Sequence, residues 1–503
     1  MGEEGPDPDE AARFERRLAA LGRALGAERI VRTHAAAVLL AGPRAWKLKR
    51  PVALGYLDFA TPERRRAALE AELSLNRRTA PGLYLGLHPV GPDGRLGGDA
   101  REAADWVLEM RRFPDDALLA TRAARAPLPG PLLDALADRV AAFLAESPVA
   151  SGPPGAAARI AAVIAGNRQA FARHPEALPE AEAEALTAAQ EAELSQRSPL
   201  LEARAAAGRV RRGHGDLHLG NIALVDGEPL PFDCLEFSDS LATCDTLYEL
   251  AFLLMDLWRL GQGRAAARVL NRFLDRTPAD EAGFPLLPLF LSLRASIRAH
   301  VRAAAGAAGE ARAFLALARR LLVRPGGRLV AVGGLSGSGK STAALAIADL
   351  GGPPGARIVR SDVVRKQLAR APLEERLPEA HYAPEAHART MGEVGRRCRA
   401  ILSAGFVAIA DAMHARPADR AAAGALAGDL GVPFTGLWLE APMPVRLARV
   451  EGRRADVSDA DRAVALRQEE IAVGDLAGWR RIDAAGPPDA TAAAVRCALG
   501  LSP

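Results

Sequence analysis

The chain has 503 residues, 49% apolar and 25% charged, an ordinary globular composition but too long for one hydrophobic core, so two or three domains are expected. No uninterrupted apolar run reaches the ~18 residues of a membrane span. The start, MGEEGPDPDE, is acidic and proline-rich where a secretory signal is basic and then apolar. Four scattered cysteines (Cys234, Cys244, Cys398, Cys497) form neither a disulfide framework nor a zinc motif, so a cytoplasmic location is expected. A net charge of +4, with Arg and Asp/Glu interspersed and no basic track interleaved with aromatics, argues against nucleic acid as a partner.

In chain order, VRTHAAAVLLAG and AWKLKRPV read as short strands around a Gly-Pro turn. Thr61 as N-cap and Pro62 in the first helical turn open a helix through residues 63–78. The strand DWVLEMRRF (105–113) closes a first, smaller lobe, 1–113. Residues 114–322 read as a helical lobe, interrupted by HGDLHLGN (214–221) and a hairpin whose turn is Asp226-Gly227. VRPGGR (323–328) reads as a linker. From 329 to 503 apolar strands (RLVAVGG, RIVRSD, FVAIADA, GLWLEA) alternate with helices, the pattern of a parallel α/β sheet. Of 65 basic residues only four are lysines: Lys47, Lys49, Lys340 and Lys366. An ammonium differs physically from a guanidinium fork, so these positions attract attention.

In HGDLHLGN the histidines at 214 and 218 have the i,i+4 spacing of a helical zinc site, but Gly215 and Gly220 argue for a loop and no Glu follows His214 to act as base. Phosphoryl transfer uses more of the residues. Asp216 and Asn221 have the spacing of an acceptor-orienting carboxylate and a Mg²⁺-binding amide. Asp233, across the hairpin, supplies a second metal carboxylate, with Glu236 as a possible auxiliary. Upstream, either Lys47 or Lys49 is placed to grip phosphate. Glu72 shares a helix face with Leu69 and Leu73 and points inward to pair with a lysine, whereas Glu70 faces solvent. VLEMRRF would then meet adenine with its backbone between Glu109 and Arg112.

These residues resemble the H-G-D-x-H-x-x-N loop of the aminoglycoside phosphotransferase and choline-kinase family, which has the protein-kinase two-lobe fold. The likeness spans roughly residues 30–320. It implies Asp216 as base, with Asn221 and Asp233 as metal ligands, and Asp245 bracing the catalytic loop. No G-x-G-x-x-G loop is present in the first lobe, and Asp-Cys-Leu stands where the kinases have Asp-Phe-Gly.

GLSGSGKST (334–342) fits G-x-x-x-x-G-K-[ST] between a strand and a helix. Gly334, Gly337 and Gly339 let the backbone close on phosphates, with Ser336, Ser338 and Thr342 in the same loop. Lys340 reaches the β/γ oxygens and Ser341 holds Mg²⁺. Asp362, ending RIVRSD, would meet an acceptor hydroxyl, and Asp411 reads as the Walker-B-like metal aspartate. Arg449, Arg453 and Arg454 could form a lid; Lys366 touches either a substrate phosphate or only solvent. SDVVRK and RRADVSDA make residues 327–503 similar to the small P-loop kinases of the zeta-toxin, gluconate-kinase and chloramphenicol-phosphotransferase type.

The expected fold is therefore α/β and α+β multidomain, a protein-kinase-like pair of lobes followed by a P-loop parallel sheet. The expected activity is a bifunctional transfer of the ATP γ-phosphate, with Mg²⁺, to hydroxyls of small molecules. A polynucleotide 5′-hydroxyl kinase is the alternative for the second half, although only 5% of the residues are aromatic. A nucleotide-binding regulator is the alternative for either half.

Overall fold

Period-two alternation in the first lobe yields a five-stranded antiparallel sheet, in the spatial order Arg29–Arg32, Ala36–Ala41, Arg44–Lys49, Asp105–Arg111, Tyr84–Val90. Successive residues of Asp105–Arg111 face opposite ways. Val107 joins Phe14, Leu18, Leu39 and Trp46 beneath the helix Pro8–Leu25, while Trp106 and Leu108 join Leu69 and Tyr84 beneath the helix Pro62–Thr79. Thr61 caps the second helix as expected, its side chain accepting from the Arg64 N–H. The first helix and the strand Tyr84–Val90 were not anticipated from the sequence.

This computed structural model describes residues 8–54, 57–150, 152, 155–452 and 457–501. It divides into two units, Met1–Arg159 with Glu202–Asp256, and Ile160–Leu201 with Leu257–Pro503. In the first, the strands Ile222–Val225 and Glu228–Pro231 pair across Asp226-Gly227, both with positive φ (53° and 83°), the hairpin turn that the dipeptide announces. In the second, the strands lie in the order Arg357–Arg360, Val407–Asp411, Arg328–Gly333, Phe434–Glu440, Trp479–Asp483, and all pairs are parallel. The fold is thus the expected mixture of α+β and α/β: an antiparallel sheet with helices, then a parallel sheet.

The expected lobe 114–322 is divided between the units, because residues 160–201 and 257–322 pack with the C-terminal half. The stretch 323–328 is not a bare tether. Arg324 forms an ion pair with Glu193 (2.6 Å to Oε2), and Arg328 already begins a strand.

A buried charge network ties down the N-terminal helix. Arg65, fully buried, grips Asp105, also fully buried, at 3.0 and 2.9 Å, and reaches Glu10 at 2.7 Å. Arg17 bonds the same two carboxylates. Removing Arg65 leaves Asp105 charged and under-compensated in the interior, which costs about 3–5 kcal/mol for a buried pair. Arg65→Ala should therefore lower the urea midpoint of the first-unit transition, read by fluorescence of Trp46 and Trp106, with Arg16→Ala on an exposed helix face leaving it within ~0.5 kcal/mol.

Candidate active sites

The first site grows from the strand Arg44–Lys49. Lys47 and Lys49 are two residues apart and so share a face, opposite Glu72 of the helix Pro62–Thr79. Lys47 Nζ lies 2.7 Å from Glu72 Oε1 and 2.5 Å from Asp233 Oδ1. Lys49 Nζ lies 2.6 Å from Glu72 Oε2 and 2.5 Å from Glu236 Oε1. The two lysines differ in their second partner: Lys47 reaches the half-exposed Asp233, while Lys49 is enclosed with Glu236 (side chains 4% and 6% exposed). Lys49 and Glu236 are thus a buried structural pair, not the phosphate grip and metal ligand the sequence suggested.

Charge sets the protonation here. Burial works against the Lys47 ammonium, but Asp233 and Glu72 outweigh it and hold it well above the usual lysine range. Burial pushes the Asp233 carboxyl up, and the Lys47 and Lys49 ammoniums overturn that, keeping it below the usual carboxylate range. Both groups are therefore ionised at neutral pH.

Asp233 is held in the left-handed region at φ 64°, unusual for a side chain with a Cβ. Its N–H donates to the Tyr84 hydroxyl at 3.0 Å, and the next N–H, of Cys234, donates to Asn76 Oδ1 at 2.9 Å. Asn76 stands one turn after Glu72, so a single helix face anchors both the lysines and the turn at Asp233.

The catalytic loop is a loop and not a zinc helix, with Gly215 at φ 86°. Asn221 Nδ2 donates to Asp216 Oδ2 at 2.9 Å and to the Asp216 carbonyl at 3.0 Å. Both partners are acceptors, so the amide orientation is forced and its oxygen is the end directed elsewhere. His218 Nδ1 accepts from the Gly220 N–H (3.0 Å), which leaves its Nε2 facing Asp216 Oδ2 at 3.4 Å. Asp216 keeps 41% of its side chain exposed. Its charge is close enough to act on Asp233. Asp245 does not brace this loop. It bonds Arg204 at 2.7 and 2.8 Å, whereas Glu249 accepts from the Gly215 N–H and Asp256 from the Leu219 N–H.

The strand Asp105–Arg111 and the residue after it have these partners. Glu109 is the register partner of Trp46, and Leu108 that of Lys47, so the Glu109 side chain faces away from the lysines and is occupied by Arg44 and His88. The N–H groups of Arg111 and Arg112 are bonded to the carbonyls of Leu83 and Pro43. In place of a glycine-rich loop, the three residues Thr33, His34 and Ala35 join the first two strands. Arg50 binds the carbonyls of Thr33 and His34.

The second site lies at the carboxyl ends of the parallel strands. Gly334, Gly337 and Gly339 all have positive φ (144°, 82°, 92°). Gly337 is also sterically obligatory, since a Cβ there would meet the Arg446 carbonyl oxygen at 2.4 Å. The loop delivers the N-terminus of the helix Lys340–Ala346, whose first-turn N–H groups have no intrahelical acceptor. Lys340 Nζ bonds the Leu335 carbonyl at 3.2 Å, and Ser341 Oγ donates to Asp411 Oδ2 at 2.7 Å. Burial raises the Asp411 carboxyl above its usual range, against the opposing pull of Arg360 and Lys340. Ser338 is buried, Thr342 exposed, and the Ser336 N–H donates to Gln468 Oε1 at 2.7 Å.

Asp362 sits in the first turn of the helix Ser361–Ala369, directly beyond the strand Arg357–Arg360. Lys366 is neither a surface residue nor a phosphate contact. It is 1% exposed and binds Asp459 Oδ1 at 2.9 Å and the Leu373 carbonyl at 2.8 Å. Arg449 bonds the carbonyls of Gly337 and Gly486, at the rim of the loop. Arg453 and Arg454 lie outside the described residues. The sequence reading missed Tyr84, Asn76, Glu249, Asp256 and Gln468. Of these, Asn76 alone carried a signal, its i+4 spacing from Glu72.

Oxygen donors fit Mg²⁺ in both places. Asn221 with Asp233, and Ser341 with Asp411, are sparse sets that leave room for water and phosphate, as Mg²⁺ prefers. Among the described residues no three His, Cys, Asp or Glu side chains cluster as a metal site by themselves, and no helix is long and apolar enough to cross a membrane.

Residues 329–472 match the AAA domain family model. The chain is 33% identical over 474 residues to the uncharacterized protein Rv2004c of Mycobacterium tuberculosis strain H37Rv, covering 90% of this chain and 92% of that one. Among solved structures it is similar to a gluconokinase from Sinorhizobium meliloti (19% identity, 35% of this chain and 94% of that chain, TM-score 0.27). It is also similar to choline kinase from Cryptosporidium parvum (8% identity, 58% and 88%, TM-score 0.39). The chain belongs to the family of the mycobacterial protein.

Gly337→Ala tests the second site. A positive φ costs a residue with a Cβ about 1–2 kcal/mol, before the overlap with Arg446. Titration with a fluorescent ATP analogue, in a chain whose first site is disabled by Lys47→Met, should show roughly tenfold weaker binding or more, and Gly395→Ala, where a Cβ meets nothing, should show none.

Proposed function

We propose that this member of the family is a bifunctional ATP-dependent phosphotransferase, each half passing the γ-phosphate to a hydroxyl of a small molecule, and that it works in the cytoplasm. The observation that carries the reading is the paired arrangement at the first site: Lys47 fixed between Glu72 and Asp233, with Asn221 keyed to Asp216. The loop-to-helix turn around Lys340 supports it for the second. Four unpaired cysteines agree with a reducing compartment.

In the first half, Lys47 is the cation for a phosphate oxygen, held ready by Glu72. Asp216 accepts the proton of an acceptor hydroxyl as the oxygen attacks the γ-phosphorus and the bond to the β,γ-bridging oxygen breaks, releasing ADP, and the Asn221 amide and His218 hold the Asp216 carboxylate in line. In the second, the N–H groups around Gly337 and Gly339 and the Lys340 ammonium receive the triphosphate, and Asp362 orients the acceptor beyond the strand end. Mg²⁺ would be held by Asn221 and Asp233 in one half and by Ser341, with Asp411 behind it, in the other, and would neutralise charge on the phosphates. The half-exposed carboxylate at Asp216 suits a polar acceptor reached from solvent.

Labelling tests both assignments together. The protein is incubated with γ-labelled ATP and a cell metabolite extract, and compounds gaining a phosphoryl group are identified. Asp216→Asn should abolish one set of products and Lys340→Ala the other, each by at least ~100-fold, the scale of a lost acid–base or phosphate-binding group. Unchanged product sets in both variants would reject the reading.

A further inference from the structure

The strand Arg357–Arg360 is an edge of the parallel sheet, with only Val407–Asp411 beside it. An edge strand presents unpaired N–H and C=O groups that must be covered or solvated. Here they are covered by a side chain. Asn271, 3% exposed, accepts from the Ile358 N–H at 2.7 Å through Oδ1 and donates from Nδ2 to the Ala356 carbonyl at 2.9 Å. One carboxamide thus reproduces the two bonds that a neighbouring strand would make.

Asn271 belongs to the helix Gly263–Arg276, a stretch that the sequence assigned to the kinase-like lobe. The same helix is joined to the P-loop sheet by three more contacts. Ala267 lies in the core with Val330, Val332, Ile347 and Ile409. Arg357, 1% exposed, binds Asp275 of the helix at 2.8 Å, and also Glu281 in the segment just after it at 2.7 Å. Gly355 is in the left-handed region, and a Cβ on it would meet Ala267 at 2.8 Å, so the chain is shaped to let the helix approach. Past the strand, Gln367 of the helix Ser361–Ala369 donates to the Asp275 carbonyl at 2.8 Å. Asp362 lies between these two tethers.

We infer that the P-loop phosphotransfer unit is composite, and that Asn271, with Asp275 as its second anchor, is a positioning residue that sets the strand end and thereby Asp362. Ala267 of this helix also packs with Ala343 and Ala344 of the helix after the P-loop, but the bonds of Asn271 itself go to residues 356–358, while the P-loop glycines approach Leu439 and Arg446, so the Asn271 clamp acts on the acceptor side of the reaction and not on nucleotide binding. The inference rests on the reading of Asp362 as the acceptor-orienting carboxylate.

The test uses the full-length chain carrying Asp216→Asn, so that transfer reports the second site alone, with labelled ATP and the metabolite extract as probes. Asn271→Leu removes both bonds. Asn271→Asp keeps an acceptor for the Ile358 N–H and loses the donor to Ala356. Deuterium exchange in the peptide 356–362 should quicken roughly tenfold in Asn271→Leu, with the peptide spanning Arg328–Gly333 unchanged. The transfer rate should fall roughly tenfold to a hundredfold, the cost of a misplaced catalytic group, while the KM for ATP stays within about twofold. Asn271→Asp should fall between Asn271→Leu and the parent in both readouts.

Faster exchange with an unaltered transfer rate overturns the positioning role. So does a rise in the KM for ATP that tracks exchange in every strand, which marks a general loss of stability. Asp362→Asn in the same assay separates the two claims. If it abolishes transfer and Asn271→Leu does not, the inference alone fails; if it transfers normally, the reading of Asp362 fails and takes the inference with it.

Discussion

Two ammoniums buried beside one carboxylate organise the first half of this molecule. Lys47 and Lys49 cannot be left charged in a low-dielectric interior without partners, and Glu72 alone cannot neutralise both. The hairpin that follows the catalytic loop supplies the remainder, Asp233 to Lys47 and Glu236 to Lys49. The antiparallel sheet, the helix Pro62–Thr79 and the segment after Pro231 are consequently locked together at one point. That point brings Asp233 beside Asp216 and Asn221, so a requirement of charge pairing assembles the site. Glu236, easily mistaken for a metal ligand, is consumed in keeping Lys49 buried.

The second half handles phosphate by a different physical route. Here the backbone sets the approach to Lys340, through glycines that alone tolerate the φ values and the close approach of Arg446 and Leu439. Charge enters through the N-terminus of a short helix and through a serine–aspartate bond beneath it. The first site is a matter of side chains across a sheet and a helix, and its parts come from positions 47 to 233. The second is a matter of one loop, and its phosphate-binding parts are nine consecutive residues.

That difference explains what the sequence disclosed. The P-loop was legible because its constraint is local: glycine positions, lysine and serine, all at fixed spacing. The Asp216–Asn221 pair was legible for the same reason. The division of labour between Lys47 and Lys49 was not, since both lie on one strand face and only the hairpin contacts tell them apart. The orientation of Glu109 depends on cross-strand register, which single-strand periodicity does not carry. Lys366 looked like a solvent or substrate lysine because its partner, Asp459, stands 93 positions away in a stretch read as a lid. The helix Gly263–Arg276 was placed in the kinase-like half because it precedes the stretch 323–328 read as a linker, and position along the chain does not say which core a helix packs against.

The account stands on the existence of two separate nucleotide sites in one chain. Calorimetric titration of the full-length protein with a non-hydrolysable ATP analogue and Mg²⁺ measures that directly. Two molecules bound per chain, falling to one in Lys340→Ala and to one in Lys47→Met, is the predicted result. A single molecule bound per intact chain, or a stoichiometry that either substitution takes to zero, would contradict it.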